Sequence, residues 1–231
     1  TCIHRSGDWK MNSWSYSLLS VFEKCPKQYY YSSIKKIRTP QHPAAERGTK
    51  IHDAAERYIK GEDGVFPKDL LLFKDAFEDL QRMYKEGTVV VEEDWAFDVD
   101  WKPTGWFEKN TWGRYKIDAY VKKEDRTVVI DFKTGRYAGN ESSHEGQCAL
   151  YAVATANKFP EAKEIQAELW YLDHGKITRH SYTSEELEER RKDFHKRAMA
   201  LSTATEYEAT PSSSACRWCY FGKERICRDV F

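Results

Sequence analysis

Apolar residues near the start of the chain repeat at helical spacing. Leu18 and Phe22 lie about one turn apart and follow Ser15, a residue type that favours the N-cap position. The pattern therefore predicts a first helix over residues 15–31. Pro26 is expected to disturb this helix, because proline lacks an amide donor and clashes with the preceding turn.

The same spacing predicts further helices, and period-two alternation predicts strands between them. A capping box at residues 183–186 marks the start of the last long helix. The helical segments are 69–86, 142–158 and 183–204, and another helix starts within 48–56. The strand-like segments are 88–100, 115–121 within a hairpin region 106–122, 127–130, 164–172 and 177–182. This order indicates an α/β chain of the α+β type, with a mixed central sheet flanked by helices.

Composition and length bound the class of protein. The 231 residues are enough for one domain with a sizeable core, and 40% hydrophobic with 14% aromatic residues is typical of a folded globule. No apolar run approaches roughly 18 residues, so no transmembrane helix is expected. Residues 1–10 lack the apolar stretch of a signal peptide, and we interpret them as an extension or a cloning remnant before a natural start at Met11.

Basic and acidic residues balance, since Lys plus Arg and Asp plus Glu both number 37. Nucleic-acid binders often carry a basic excess, so this chain is expected to bind DNA modestly and in a salt-sensitive way. A basic groove is compatible with a neutral sum, because acids gathered at a metal site subtract from it. The balance also leaves room for a partner that supplies binding.

Two strand-like segments are predicted to bring carboxylates to one edge of the sheet. Asp118 lies in the segment 115–121, and the next segment ends in Asp131-Phe132-Lys133. Hard divalent cations such as Mg²⁺ bind carboxylate oxygens and keep positions open for water and phosphate. A lysine beside them can orient or deprotonate a water molecule and offset charge on a phosphate. These residue types indicate phosphodiester cleavage.

Two helical pairs flank this motif along the chain. His52 and Glu56 are four residues apart and share one helix face. Gln147 and Tyr151 share a face by the same spacing. The run Tyr29-Tyr30-Tyr31 is either an aromatic core stripe or a base-stacking platform.

Four cysteines are candidates for one metal centre. Cys216 and Cys219 form a C-x2-C pair, Cys227 follows them, and Cys25 lies near the start of the chain. Four thiolates suit a [4Fe-4S] cluster or a structural zinc ion, and a site without metal also stays open. Disulfides are disfavoured, because an intracellular protein keeps its thiols reduced.

Taken in order, these motifs resemble the RecB-like branch of the PD-(D/E)XK nuclease superfamily, which includes CRISPR-associated RecB-type exonucleases, AddB nuclease domains and phage relatives. The resemblance runs from about Ser15 to Cys227. It implies a restriction-endonuclease-like core in a single domain over residues 11–231. A helical insert at about 60–87 and a cysteine-rich tail at 215–231 would complete that domain.

The resemblance also implies a role for each candidate residue. Mg²⁺ or Mn²⁺ would be held by two carboxylates, one imidazole and one backbone carbonyl, namely Asp118, Asp131, His52 and the carbonyl of Phe132. Glu56 would hold a second metal or an ordered water, with a solvated helix face as the alternative. Lys133 would be the catalytic lysine, and Gln147 and Tyr151 would position it and the scissile phosphate.

Members of the branch that carry a cluster hold it with one N-terminal and three C-terminal cysteines. The resemblance therefore implies a [4Fe-4S] cluster on Cys25, Cys216, Cys219 and Cys227, which would join the N- and C-terminal segments. This sequence departs from the family in the seven residues before Cys227, a gap that is commonly shorter. Structural zinc stays open as the alternative.

We therefore expect a metal-dependent DNA nuclease, an exonuclease that acts on single strands or duplex ends in recombination, repair, phage DNA processing or CRISPR spacer acquisition. The expected compartment is the cytoplasm, or the host cytoplasm if the protein is phage-encoded, without membrane association. The alternative is a DNA-binding or scaffold subunit of nuclease fold that works with a helicase, integrase or recombinase partner. A third possibility is a structural-metal protein whose only chemistry is its cysteines.

Overall fold

A six-stranded mixed sheet forms the centre of the molecule, in a computed structural model that describes residues 11–229. The predicted extension at 1–10 lies outside the described residues. The strands are β1 (Val89–Phe97), β2 (Pro103–Thr104), β3 (Gly113–Lys122), β4 (Arg126–Lys133), β5 (Glu164–Tyr171) and β6 (Lys176–Tyr182). Their order across the sheet is β2-β1-β3-β4-β5-β6. β4 and β5 run parallel, and the other neighbouring pairs are antiparallel.

Helices cover both faces of this sheet. They are α1 (Tyr16–Lys24), α2 (Pro26–Tyr29), α3 (Pro43–Lys60), α4 (Lys74–Lys85), α5 (Glu141–Lys158), α6 (Ser184–Ser202), α7 (Ser213–Cys216) and α8 (Tyr220–Lys223). α5 supplies the crossover that the parallel strands β4 and β5 require. Side chains of α1, α5 and α6 form one core cluster, and those of α3 and α4 form a second. The prediction of a mixed sheet flanked by helices is confirmed, and within residues 11–229 no helix is long and apolar enough to cross a bilayer.

The strand predictions are confirmed with small shifts of their ends. The segment 88–100 contains the single strand β1, Val89–Phe97. The prediction of a hairpin region over 106–122 is wrong, because its first part is a loop and only β3 lies there. The two-residue strand β2 was not predicted, since its residues carry no alternation.

The first predicted helix is interrupted at the residue before Pro26. Cys25 is extended, and the helix resumes at Pro26 and runs into a π-helical turn at Tyr30–Ile34. The prediction of one helix over 15–31 is therefore wrong, because a residue that precedes proline is pushed out of the helical region. Ser15 caps α1 as expected, through its side-chain oxygen.

Two other helices begin away from their predicted starts. α3 begins at Pro43 and not near Gly48, which lies inside the helix. Thr134 Oγ1 is 3.1 Å from the position that a Cβ of Gly48 would take, so the missing side chain lets α3 approach the end of β4 closely. The segment predicted as a helix over 69–86 is a 3-10 helix through Phe73 and α-helical after it.

The tyrosine run after α1 packs against the C-terminal part of the chain. Tyr29 is buried, and the rings of Tyr30 and Tyr207 are stacked with centroids 5.3 Å apart. The ring of Tyr31 packs on Phe221, with centroids 5.2 Å apart. These contacts favour the aromatic core stripe over the base-stacking platform.

Candidate active site

The odd-numbered residues of β3 face one side of the sheet in its first half and the other side in its second half. Tyr115 and Ile117 belong to the cluster that contains α5, whereas Ala119 and Val121 belong to the cluster that contains α3. Residues two apart in a regular strand face the same side. The alternation therefore shifts at Asp118, the residue between the two pairs.

β1 makes the same exchange at the facing position. Val91 and Trp95 belong to opposite clusters, although regular alternation would place them on one face. Val91 pairs with Ala119 in the antiparallel register, so the next residue, Glu92, lies opposite Asp118. Glu92 has a φ of 51°, which is uncommon for a residue other than glycine. A matched irregularity in the two strands thus brings two carboxylates together.

A histidine on α3 completes this group. His52 Nδ1 lies 3.2 Å from Asp118 Oδ1, and one ligand atom from each of His52, Glu92 and Asp118 lies within 4.8 Å of the others. The second oxygen of Asp118 accepts a hydrogen bond from the amide of Phe132 at 2.7 Å, which fixes the carboxylate. Two carboxylates suit a hard divalent ion, and an imidazole adds affinity for a transition metal such as Mn²⁺.

A second chain of polar contacts begins at the end of β4. Lys133 Nζ lies 2.5 Å from Asp131 Oδ2, and it donates to Gln147 Oε1 at 2.7 Å. Gln147 Nε2 in turn donates to Tyr151 Oη at 2.8 Å, as their shared face of α5 allows. The structure therefore brings together the four residues that the sequence selected at this place, and the glutamine holds the ammonium group beside the carboxylate.

The carboxylates of the site are crowded and partly desolvated. Burial and the neighbouring carboxylates of Asp118 and Glu56 raise the pKa of Glu92 to about 7. Burial also raises the pKa of Asp131, and Lys133 opposes that shift. Burial alone would lower the pKa of His52, but the Asp118 hydrogen bond and nearby carboxylates raise it. A divalent cation would relieve this repulsion.

Glu56 lies beside this group and has a cationic partner of its own. Its Oε1 is 2.5 Å from Lys60 Nζ, one turn further along α3. It is close enough to Glu92 to raise the pKa of that residue. The role of Glu56 in holding metal stays a prediction.

Glu92 is the residue that the sequence did not reveal. It opens the run Glu92-Glu93-Asp94 within a predicted strand, and a run of acids normally marks a solvated face. Its position depends on the pairing of β1 with β3 across a loop, which local patterns do not define. One feature of the sequence could have indicated Glu92. It is an acid that directly follows three valines in a predicted strand.

The four candidate cysteines line one small cavity between the α1–α2 junction and the C-terminal tail. They are Cys25, Cys216, Cys219 and Cys227. Burial raises the pKa of Cys227, and Cys25 and Cys219 raise it further. The thiols are free and partly buried. The structure thus brings together all four residues that the sequence selected.

Solved structures share this fold. The protein SSO0001 matches with a TM-score of 0.54 and 16% identity, over 98% of this chain and 88% of its own. A candidate exonuclease from Eubacterium rectale matches with a TM-score of 0.51 and 14% identity, over 97% of this chain and 94% of its own. Likeness at such low identity shows the fold alone.

The amino-acid sequence also matches a protein family. No curated protein matches the chain. Residues 13–228, however, match the PD-(D/E)XK nuclease superfamily, and this range contains both strands of the site, α3, α5 and the four cysteines. Because the match spans nearly the whole chain, this protein belongs to the PD-(D/E)XK nuclease superfamily.

Proposed function

We propose that the protein is a metal-dependent DNA nuclease of the RecB-like branch, an exonuclease that acts on single strands or duplex ends. The observation that carries the proposal is Lys133, held between Asp131 and Gln147 beside a group of metal-ligating side chains. A half-buried lysine that only stabilised the fold would not need a second carboxylate and an imidazole close by. Together they form the equipment for phosphodiester hydrolysis.

The donor set of the site fits Mg²⁺ or Mn²⁺. Its oxygen and nitrogen ligands would be the carboxylates of Asp118 and Asp131, the carbonyl of Phe132 and the imidazole of His52, and Glu92 adds a carboxylate that the sequence did not indicate. Raised pKa values at Glu92 and Asp131 support this fit, because crowded and desolvated carboxyls retain protons until a cation replaces them. Glu56 is proposed to hold an ordered water or a second ion.

Such an ion, when bound, would act as a Lewis acid at the phosphate and would lower the pKa of a coordinated water. The chain's own residues would position the attacking water and the phosphate beside that ion. Lys133 Nζ, as an ammonium group, donates a hydrogen bond that orients the attacking water and offsets charge that develops on the phosphate oxygens. Gln147 fixes the lysine, and Tyr151 fixes Gln147 in turn. The phenol and the amide therefore act as positioning residues.

A [4Fe-4S] cluster is proposed at the four cysteines, with structural zinc as the alternative. Four free thiols around one cavity match the donor number of both. Thiolates that bind a cluster must stay reduced, which supports the cytoplasm, or a host's cytoplasm, as the compartment. We further propose one domain over residues 11–231, with an insert at about 60–87.

A protein partner such as a helicase, integrase or recombinase is also proposed. The equal numbers of acidic and basic residues, 37 of each, support it, because a neutral chain gains little affinity from general attraction to DNA. In the alternative function, the chain would serve that partner as a DNA-binding or scaffold subunit.

The test is cleavage of labelled single-stranded and blunt duplex DNA, and of matching RNA, with Mg²⁺, Mn²⁺ or EDTA. We expect DNA cleavage with either ion and none with EDTA. Asp118→Asn, Asp131→Asn and Lys133→Met should each lower the rate at least about 100-fold, because these groups act as one unit. Asp125→Asn is the matched control, an aspartate paired with a lysine at the opposite end of β4.

Three results would contradict the proposal. Cleavage of RNA but not DNA would remove the DNA assignment. If two of the three variants retain more than about a tenth of the wild-type rate, the assignment of the catalytic residues is wrong. DNA binding without any cleavage would favour the scaffold function.

A further inference from the structure

A groove opens beside Gln147 and Tyr151 at the start of β3, where Trp14 bridges to Gly113. β3 pairs with β4 only from Ala119 onwards, so its first residues, 113–117, have no neighbour from β4. The N-terminal segment 13–18 and the loop before β3 form the other walls. The cavity has a volume of about 370 Å³, which lies in the range of ligand pockets. The groove therefore leads directly to the side chain that holds the catalytic lysine.

One aromatic residue lines this groove, and an exposed one follows it in the chain. Phe107 is 90% exposed, and the preceding Trp106 is half-buried and lines the cavity. Their loop is closed by a hydrogen bond from the hydroxyl of Thr111 to the carbonyl of Gly105 at 2.6 Å. Arg114 Nε also donates to the carbonyl of Trp106 at 2.9 Å, which ties the loop to β3. The exposed ring is thus presented by an anchored loop.

Two cations of β3 lie beside the ring of Trp106. Arg114 Cζ is 5.6 Å and Lys116 Nζ is 5.9 Å from the centroid of the Trp106 ring. Arg114 has no carboxylate partner among residues 11–229, so its charge is not neutralised locally. Lys116 pairs with Asp94 at 3.3 Å, but both side chains are exposed, and such a pair contributes little. Residues two apart in a strand are about 7 Å apart, a spacing that successive phosphates of an extended strand can match.

We propose that this groove binds a single strand of DNA next to the active site, with bases stacked on Trp106 and Phe107 and phosphates against Arg114 and Lys116. The inference rests on the proposed nuclease function and names the form of the substrate. Single-stranded DNA is the occupant because the aromatic faces need unstacked bases, which a duplex keeps covered by base stacking. A protein partner would gain little from two adjacent cations, whereas phosphates complement both. The path of the strand continues from the cations towards Gln147 and Lys133.

The test measures the affinity of fluorescein-labelled oligo(dT) by anisotropy in EDTA, so that cleavage plays no part. Phe107→Ala should weaken binding about tenfold, and Trp106→Leu should do the same, because each base stack contributes roughly that factor. Blunt duplex binding should be unchanged in both variants. Val65→Ala, which removes an apolar side chain that is 82% exposed elsewhere, is the control and should bind as wild type does.

The cations are tested by salt dependence. Lys116→Ala should lower the slope of log affinity against log salt concentration by about 0.7, the value for one lost phosphate contact on a single strand. Lys163→Ala is the matched control, because this lysine is equally exposed and pairs with Asp125 at the far end of the sheet. Its slope should equal that of the wild type. Ultraviolet crosslinking of a 5-iodouracil strand should map to Trp106 or Phe107.

The outcomes separate this inference from the nuclease proposal. If Phe107→Ala and Trp106→Leu bind oligo(dT) as tightly as wild type, the groove proposal is wrong, even where wild type cleaves DNA. If these variants lose binding but wild type cleaves no DNA with either ion, the nuclease proposal is wrong and the groove stands. An equal loss on blunt duplex, or tighter binding of oligo(U) than of oligo(dT), would overturn the assignment to single-stranded DNA.

Discussion

Two carboxylates in the site occupy positions that cost free energy when no cation is bound. Asp131 is only 4% exposed, and Glu92 combines partial burial with a φ of 51°. A left-handed backbone at a residue with a Cβ costs about 1–3 kcal/mol, and such strain collects at functional sites. Fold stability alone does not explain these residues, whereas the proposed divalent ion would.

Glu92→Gly is expected to raise the melting temperature while it lowers cleavage. Glycine adopts positive φ freely, and the change also removes a carboxyl that Asp118 and Glu56 repel. The expected gain is about 1 kcal/mol, or roughly 2–4 °C in a chain of this size. Scanning calorimetry and the cleavage assay measure the two effects.

Glu92→Ala is the matched control for that experiment, because it removes the carboxyl but keeps the Cβ. It should lose cleavage equally and gain less stability. Equal melting temperatures for the two variants would show that backbone strain is not relieved. Full activity in Glu92→Gly would show that the carboxylate does not hold the metal.

At the scale of single residues, motif spacing predicted most of the side chains that meet at the candidate site. Asp118, Asp131 and Lys133 were selected because two adjacent strands were expected to bring them to one edge of the sheet. The structure places them close together, but on the two central strands, β3 and β4, and Asp118 lies within its strand. Gln147 was found because helical spacing pairs it with Tyr151. Glu92 was not found, because its place depends on the register between non-consecutive segments and on a backbone shift that alternation does not reveal.

At the scale of elements, α3 is the part that must be placed most accurately. It carries His52 to Asp118, and it touches the residue after Lys133 through Gly48. A helix interior normally favours alanine over glycine by about 1 kcal/mol. The glycine is therefore explained by the close approach of Thr134, and not by helix stability.

Gly48→Ala should lower cleavage about tenfold while the free energy of unfolding changes little. The new methyl group would sit 3.1 Å from Thr134 Oγ1, so α3 or the end of β4 must shift by tenths of an ångström. Small misplacements of catalytic groups cost rates of that order, whereas the gain in helix propensity offsets the crowding. Adding Thr134→Ala removes the crowded oxygen and should restore cleavage. A double variant no faster than Gly48→Ala would reject this explanation.

Element types were predictable from spacing, but several boundaries were not. The sequence showed that Pro26 disturbs the first helix, yet it did not show that Cys25 becomes extended and separates two helices. That break turns Cys25 towards the cavity it shares with the tail. The early start of α3 at Pro43 was missed, because the residues before Gly48 carry little apolar periodicity.

At the scale of the whole molecule, the N-terminal helices are joined to the C-terminal segment by many contacts. Glu23 pairs with Arg197 at 2.6 Å, and Thr210 donates to the carbonyl of Lys24 at 2.9 Å. Tyr31 packs on Phe221 close to the cysteines. Local patterns could not predict such distant contacts, and only the count and order of the cysteines indicated that the two regions meet.

The proposed metal centre would fasten this junction, and its loss should therefore unfold the protein more easily. Cys25 and Cys216 are 191 positions apart, so a shared centre closes a long loop and makes metal binding part of the folding free energy. Cys25→Ala and Cys216→Ala should each lower the free energy of unfolding by about 3 kcal/mol or more and abolish bound metal. Cys2→Ala, outside the proposed set, should change neither.

Anaerobically prepared protein distinguishes the two metals, because a [4Fe-4S] cluster gives a brown solution with broad absorption near about 400 nm and zinc gives none. Metal analysis should then find iron in the wild type and neither metal in Cys216→Ala. A colourless wild type that contains neither iron nor zinc, with Cys216→Ala equally stable, would reject the metal centre. Cleavage by that same protein would still support the nuclease site, since none of the four cysteines contributes to the group around Asp118 and Lys133.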